Sequence, residues 1–197
     1  VVTTAAAASP EDIESACDAA AAAFPEWSQS SPSLRRAILE RAAALLLERT
    51  DEFRARMMAE TGATALWCNF NVALSARLLS EAAAMTTQVG GSVIPTDMPG
   101  KTSLAYRQPA GVCLAIAPWN APVILGTRSV AIALACGNTV VLKTSELCPA
   151  THRLIGDVLV EAGIPDGVIN IVSNAPADAS AVVEALVTHP GVRRINF

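Results

Sequence analysis

Apolar residues follow two different periods along this chain. Up to about residue 88 they recur at spacings of three and four, which predicts amphipathic helices; beyond Gly111 they come in short unbroken runs, which predicts strands covered on both faces. Ser9-Pro10-Glu11-Asp12 opens the first helix with a capping hydroxyl, a proline at the first helical position and acids at the positive end of the dipole. That helix is predicted to reach about Phe24. Leu34, Ile38, Ala42, Leu45 and Leu46, with Arg35, Arg36, Glu40, Arg41 and Glu48 between them, predict a second helix with the charged residues on its outer face. A shorter one runs from Asp51 to Glu60 and stops at Gly62. The fourth, from Ala63 to Gln88, is expected to use Leu66, Phe70, Leu74, Leu78 and Met85 as its apolar side before Gly90-Gly91 ends it.

The period then changes. Ser92-Val93-Ile94-Pro95 and Ser103-Leu104-Ala105-Tyr106-Arg107 are short β-leaning runs around Pro99-Gly100, and predict a protruding hairpin. From Gly111 the pattern repeats as strand, turn, helix. Strands are expected at 112–117, 139–142, 168–172 and 192–197, with helices from about Pro122 to Cys136, Pro149 to Ala162 and Pro176 to Val187. The predicted fold class is therefore α/β: N-terminal helices, a β-hairpin arm, and part of a Rossmann-like doubly wound parallel sheet with right-handed crossovers. The corresponding divisions are 1–91, 92–110 and 111–197.

Composition removes several function classes. The chain is 52% hydrophobic and 16% charged, without the Gly, Cys or charge bias of collagen, a disulfide miniprotein or a disordered tail. A net charge of -4, with no Lys/Arg cluster larger than a pair, argues against nucleic acid as a partner. The longest apolar stretch, Val123 to Cys136, contains Arg128 and falls short of the roughly 20 residues that span a bilayer, so no membrane partner is expected. Val1-Val2-Thr3-Thr4-Ala5 has no basic segment before an apolar core and does not read as a secretion signal. Cys17, Cys68, Cys113, Cys136 and Cys148 are odd in number and form no C-x-x-C pair, which fits a reducing cytoplasm. With only His152 and His189 in the chain, zinc-enzyme spacing is impossible and no metal is expected.

A parallel sheet of this kind places ligands beyond the carboxyl ends of its strands, so chemistry is expected at Pro118-Trp119-Asn120, at Lys143 to Glu146 and near Ser173 to Pro176. An asparagine at a crevice mouth can donate its amide to a developing oxyanion; the same tripeptide also reads as an ordinary turn. Lys143 and Glu146 suit the two hydroxyls of a ribose, one donating and one accepting, and Glu146 would repel a 2′-phosphate, favouring NAD over NADP. Equally, Ser145 or Glu146 could merely cap the next helix. Only two lysines occur in the chain, and this one leaves a buried strand. No G-x-G-x-x-G or G-x-x-x-x-G-K-[ST] is present, so a nucleotide would be held without the usual glycine cradles. Arg128 interrupts an apolar helix, which points to a buried carboxylate pair or to a ligand, and Trp67 and Asn71 sit one turn apart on the fourth helix. Cys136 and Cys148 read as small core residues rather than nucleophiles, and His152 as a surface or packing residue.

The runs Gln108-Pro109-Ala110-Gly111-Val112, Ile116-Ala117-Pro118-Trp119-Asn120-Ala121-Pro122 and Ala135-Cys136-Gly137-Asn138-Thr139-Val140-Val141-Leu142-Lys143-Thr144-Ser145-Glu146 resemble the NAD(P)-dependent aldehyde dehydrogenase superfamily. The likeness covers essentially the whole chain and, within the superfamily, is greatest to bacterial aromatic aldehyde dehydrogenases of the salicylaldehyde and vanillin type. The resemblance implies NAD as cofactor and Asn120 as the catalytic oxyanion-hole amide. It implies cofactor contacts at Ile116, Ala117, Pro118, Trp119, Lys143, Ser145, Glu146, Ala175 and Pro176. Helix position adds Trp67 and Arg128 as residues lining the aldehyde path, and Ala121 is counted with them as substrate-binding. Thr144 and Ser173-Asn174-Ala175-Pro176 depart from the family pattern. The resemblance further implies that the hairpin is an oligomerisation arm, that the full-length protein is a homo-oligomer such as a dimer, and that the general-base glutamate and nucleophilic cysteine follow Phe197. The span is thus expected to be an N-terminal portion, inactive alone. A noncatalytic nucleotide-binding or scaffold module is the alternative.

Overall fold

The structure, a computed structural model, describes residues 2–197. Ser9 caps α1 (Pro10–Gln29) as the sequence predicts: its hydroxyl accepts from Asp12 N–H, and the Asp12 carboxylate accepts from Ser9 N–H at 2.8 Å. The helix does not stop near Phe24. It carries Pro25 within its last turns, where buried Trp27 anchors the end against the core. Three further helices follow, α2 (Pro32–Glu48), α3 (Thr50–Thr61) and α4 (Ala65–Met85). α2 buries Ile38, Ala42, Leu45 and Leu46 as expected, but it also buries Arg35. The Arg35 Nε donates to the Ala135 carbonyl at 3.0 Å and its Nη1 donates to Ser30, so the guanidinium ties off a helix end rather than facing water.

α4 is turned opposite to the expectation. It buries Cys68, Asn71, Val72, Ser75, Ala76, Leu79, Ala82 and Ala83 against α2 and α5, leaving Leu66, Phe70 and Met85 exposed and Leu74 and Leu78 half-buried. Small side chains inward let neighbouring helices approach closely, and that packing overrides the larger but outward residues. β1 (Gly91–Ile94) and β2 (Ser103–Tyr106) pair antiparallel, with Ser92 opposite Ala105, and form the hairpin arm. It stands off the body, with Val93 and Tyr106 both exposed.

β3 (Val112–Ile116), β4 (Thr139–Lys143), β5 (Ile169–Val172) and β6 (Val192–Asn196) form a parallel sheet in the order β5-β4-β3-β6. α5 (Pro122–Ala135) and α6 (Pro149–Glu161) cover one face together with α2 to α4; α1 and α7 (Ala179–Thr188) cover the other. Alternate strand residues feed the two cores: Cys113, Ala115, Val140 and Leu142 on one side, Val112, Leu114, Val141 and Val172 on the other. Burial on both faces explains the unbroken apolar runs. Residues 176–178, expected to open a helix, form a separate 3-10 turn before α7. The chain advances β3 to β4 to β5 and then returns to the far side of β3, so the sheet's topological switch lies between β3 and β6. Among the described residues no helix is long and apolar enough to cross a membrane.

The Gly137-Asn138 pair sets this geometry. Gly137 ends α5 at φ 81°, a conformation that favours glycine. The Asn138 amide oxygen accepts from Ala110 N–H at 2.6 Å and from Gly111 N–H at 3.2 Å, while its nitrogen donates to the Ala133 carbonyl at 3.1 Å. One side chain thereby joins the end of α5 to the start of β3.

Candidate active site

Lys143 ends β4 with only 5% of its surface exposed, and its Nζ lies 3.2 Å from Glu146 Oε2. Glu146 is half-buried, and its carboxyl is held below the usual carboxylate range, first by its own backbone N–H and also by the Lys143 ammonium, against the opposing effect of burial. The turn between them is firmly held. Thr144 N–H donates to Val172 O at 2.9 Å, Ser145 N–H to His152 Nδ1 at 3.1 Å, and Leu147 N–H to Ser145 Oγ at 3.3 Å. Neither Ser145 nor Glu146 caps α6, contrary to the helix-cap alternative. That role falls to Glu60 at the end of α3, which accepts from Ala150 N–H at 2.9 Å, Thr151 N–H at 2.8 Å and Thr151 Oγ1 at 2.6 Å. A carboxylate already occupies the positive end of α6, which is therefore not open to a phosphate.

β3 ends level with β4: Ile116 is in register with Lys143, and Ala117 N–H donates to the Lys143 carbonyl at 3.2 Å. Ile116 is half-buried and Ala117 buried, whereas Pro118, Trp119 and Asn120 are exposed before buried Ala121 leads into α5. The Trp67 indole N–H donates to the Asn120 main-chain carbonyl at 3.1 Å. Asn71, fully buried, donates to the Trp67 carbonyl at 3.0 Å and accepts from Ile124 N–H at 3.4 Å, locking α4 to the first turn of α5. Phe70 stacks on Trp67 with ring centroids 5.5 Å apart. Trp67 and Asn120 are thus brought together, with an exposed aromatic ledge beside the amide's loop.

The remaining expected residues are more dispersed. Ala175 and Pro176 follow β5, half-buried and exposed respectively. Arg128 lies on the exposed side of α5 with no ion pair among the described residues, so the expectation of a buried carboxylate partner is overturned. Burial pushes the Cys148 thiol up to about 12 and also raises Cys136, which leaves both protonated and poor nucleophiles. His152, expected at the surface or in simple packing, is wholly buried, and burial first of all pushes it down to about 4. Sequence reading missed both His152 and Glu60 as parts of the site. The only local signal was an imidazole four residues past Cys148 at a helix start, and Glu60 acts across 90 residues.

Two cavities border the sheet. One of about 470 Å³ sits between α1, α6 and β5, reaching Ser173, and another of about 540 Å³ lies between the end of α5 and β6, lined by Arg107 and Arg194. At the end of β3, Trp119 and Asn120 stand exposed. Among the described residues, Glu14, Asp18 and His189 are close enough to share a cation. However, His189 Nδ1 accepts from Gly191 N–H at 3.0 Å, which puts the ring proton on Nε2, facing Glu14 Oε2 at 3.3 Å, where a metal would need a bare nitrogen.

The sequence profile of the aldehyde dehydrogenase family matches residues 1–197. The chain belongs to that family. A vanillin dehydrogenase from a Pseudomonas species is 62% identical over 197 residues, which are 100% of this chain and 41% of that protein. The crystal structure of a salicylaldehyde dehydrogenase from Pseudomonas putida G7, complexed with salicylaldehyde, superposes with a TM-score of 0.98 at 43% identity, covering 100% of this chain and 41% of that one. An NAD-dependent benzaldehyde dehydrogenase from Corynebacterium glutamicum gives 0.95 at 36% identity, covering 100% and 42%. This aldehyde dehydrogenase chain therefore spans 41% of the length of the first of these relatives. Its helices, hairpin and parallel sheet are those of the aldehyde dehydrogenase fold.

Proposed function

We propose that the whole protein oxidises an aldehyde, aromatic in kind, to its carboxylic acid with NAD as cofactor. The reading is carried by one juxtaposition: β3, which leads into the Asn120 loop held by Trp67 of the Trp67–Phe70 ledge, ends in register with Lys143, whose ammonium pairs with Glu146 in the turn after β4. The names of the relatives, which act on vanillin, salicylaldehyde and benzaldehyde, support the aromatic class. The residues present fit NAD. Lys143 engages only Glu146 among the described side chains, leaving N–H donors unspent, and half-exposed Glu146 keeps acceptor capacity for a ribose hydroxyl. Its negative charge disfavours a 2′-phosphate. Ile116, Ala117, Pro118, Trp119, Ser145, Ala175 and Pro176 complete the groove in this reading. NAD, when bound, supplies the hydride acceptor.

The Asn120 amide stabilises the alkoxide formed when a cysteine thiolate, supplied from outside these 197 residues, adds to the aldehyde carbon. Trp67, Ala121 and Arg128 line the aldehyde path. We further assign residues 1–91 to the helical part of the cofactor domain, 92–110 to an arm joining subunits, and 111–197 to the NAD-binding βα units. Exposed Val93, Leu104 and Tyr106 suit a subunit contact, and five unbridged cysteines suit the cytoplasm. Steady-state assays of the full-length protein test this. Benzaldehyde-type substrates should give NADH with higher kcat/KM than straight-chain aldehydes, and no NADH from any aldehyde contradicts the reading.

A further inference from the structure

His152 has a place in this site beyond the surface or packing role that its sequence context predicts. Its Nδ1 accepts the Ser145 N–H at 3.1 Å, and Ser145 sits between the two residues read as ribose ligands. The ring is also packed against α5: a Cβ at Gly126 would lie 3.2 Å from His152 Cδ2 and 3.6 Å from Nε2. Its own helix cannot drift, because Glu60 clamps the N–H groups of Ala150 and Thr151 just before it. Three elements thus meet at one imidazole: the turn after β4, the start of α6, and α5, whose preceding loop carries Asn120.

We propose that His152 is a positioning residue that holds the Lys143–Glu146 turn in the conformation that receives the cofactor's adenosine ribose, and couples that turn to the helix behind Asn120. The inference rests on the ribose reading of Lys143 and Glu146. Its chemical requirement is a bare Nδ1, since an N–H donor there would face the Ser145 N–H donor. The proton of the neutral ring is therefore on Nε2. That nitrogen makes no well-formed hydrogen bond among the described residues, although the Pro122 backbone at the start of α5 favours its proton; Nδ1 also lies 3.9 Å from Cys148 Sγ, so the Ser145 N–H at 3.1 Å is the shorter of its two contacts. Burial keeps the ring in the neutral form throughout the range in which an exposed histidine would titrate.

The test compares H152L, which removes the acceptor, with H152N, whose amide oxygen can stand near the position of Nδ1, both in the full-length protein. The dissociation constant for NAD is measured by calorimetry, with KM for benzaldehyde and the melting temperature alongside. One lost hydrogen bond that orients two ligands is expected to weaken NAD binding about tenfold in H152L. KM for the aldehyde should stay within about twofold, and H152N should return NAD affinity to within about threefold of the wild type. Wild-type NAD affinity in H152L overturns the proposal. So does equal loss in H152L and H152N that simply follows their melting temperatures. Should H152L not fold, H152A, which also lacks an acceptor, takes its place with the same expected loss of NAD affinity. K143A in the same titration separates the two readings: no effect of K143A sinks the ribose assignment, whereas an effect of K143A without one of H152L sinks the role of His152 alone.

Discussion

The two strand ends that make up the candidate site are built on opposite plans. At the end of β4, Lys143, Thr144 and Ser145 are buried, and the backbone N–H groups of Thr144, Ser145, Leu147 and Cys148 all have partners within the protein, although the buried Thr144 hydroxyl has none among the described residues. At the end of β3, Pro118, Trp119 and Asn120 are exposed, and Asn120 is fixed through its main chain by Trp67 rather than through its side chain. A cofactor site gains from a rigid, presatisfied frame, because a ribose then meets donors and acceptors already in position. An oxyanion amide needs the reverse: a side chain free to donate, on a backbone that does not move. The contrast thus matches the two chemistries assigned to the two ends.

Breaking the open end should have the largest effect. In the full-length protein N120A is expected to lower kcat about 100- to 1000-fold, as loss of one oxyanion donor does elsewhere, while the NAD dissociation constant stays within about twofold. Comparable losses in both quantities would mean that Asn120 shapes the groove and does not act on the carbonyl. Breaking the closed end should reverse the split. For K143A the expectation is NAD affinity weakened about tenfold or more with kcat reduced much less, since a charged hydrogen bond to ligand contributes roughly 1.5–3 kcal/mol. Titration calorimetry and saturating turnover separate the two.

Two smaller effects probe the frame beneath the closed end. Replacing Glu60 by Gln should cost about 1–2 kcal/mol, because the amide loses the charge that faces the start of α6 and one of its acceptors. Denaturant unfolding of the wild type and E60Q measures it, and equal midpoints would remove Glu60 from the frame. Protonation of His152 gives the smallest. Its folded value of about 4 lies below the ordinary 6.5, so the unfolded chain takes up the proton first as pH falls. Its contribution to stability is complete above about pH 6.5 and is lost progressively toward pH 4, on the order of 1 kcal/mol by pH 5.5. Lys143 on β4 disfavours the charged ring, while Glu146 and Glu60 are the nearby carboxylates and Cys148 stays a neutral thiol. The melting temperature of the wild type relative to H152N should therefore fall between pH 7 and pH 5; a flat difference contradicts the assignment.

Much of this frame was legible in the sequence, for identifiable reasons. Strands buried on both faces leave unbroken apolar runs, so the ends of β3 and β4 could be placed from pattern alone to within one residue, at Ala117 and Leu142 where the structure has Ile116 and Lys143. Ser9 and Asp12 signalled their helix because the capping box is a local motif. α4 misled because its inner face is mostly Ala, Ser, Asn and Cys, which carry little hydrophobic signal and surround only Val72 and Leu79, while Leu66, Phe70 and Met85 point outward. Arg128 misled for a related reason: an apolar helix can still present one exposed position. The roles of Glu60 and Arg35 depend on partners 90 and 100 residues away, and no local pattern reports such contacts.

A crystal structure of the full-length protein with bound NAD tests the central claim most directly. The adenosine ribose hydroxyls are predicted to lie within hydrogen-bond distance of Lys143 Nζ and the Glu146 carboxylate, with the nicotinamide end running toward Asn120. A dinucleotide seated instead in the cavity between α1, α6 and β5, or contacting neither Lys143 nor Glu146, would contradict it.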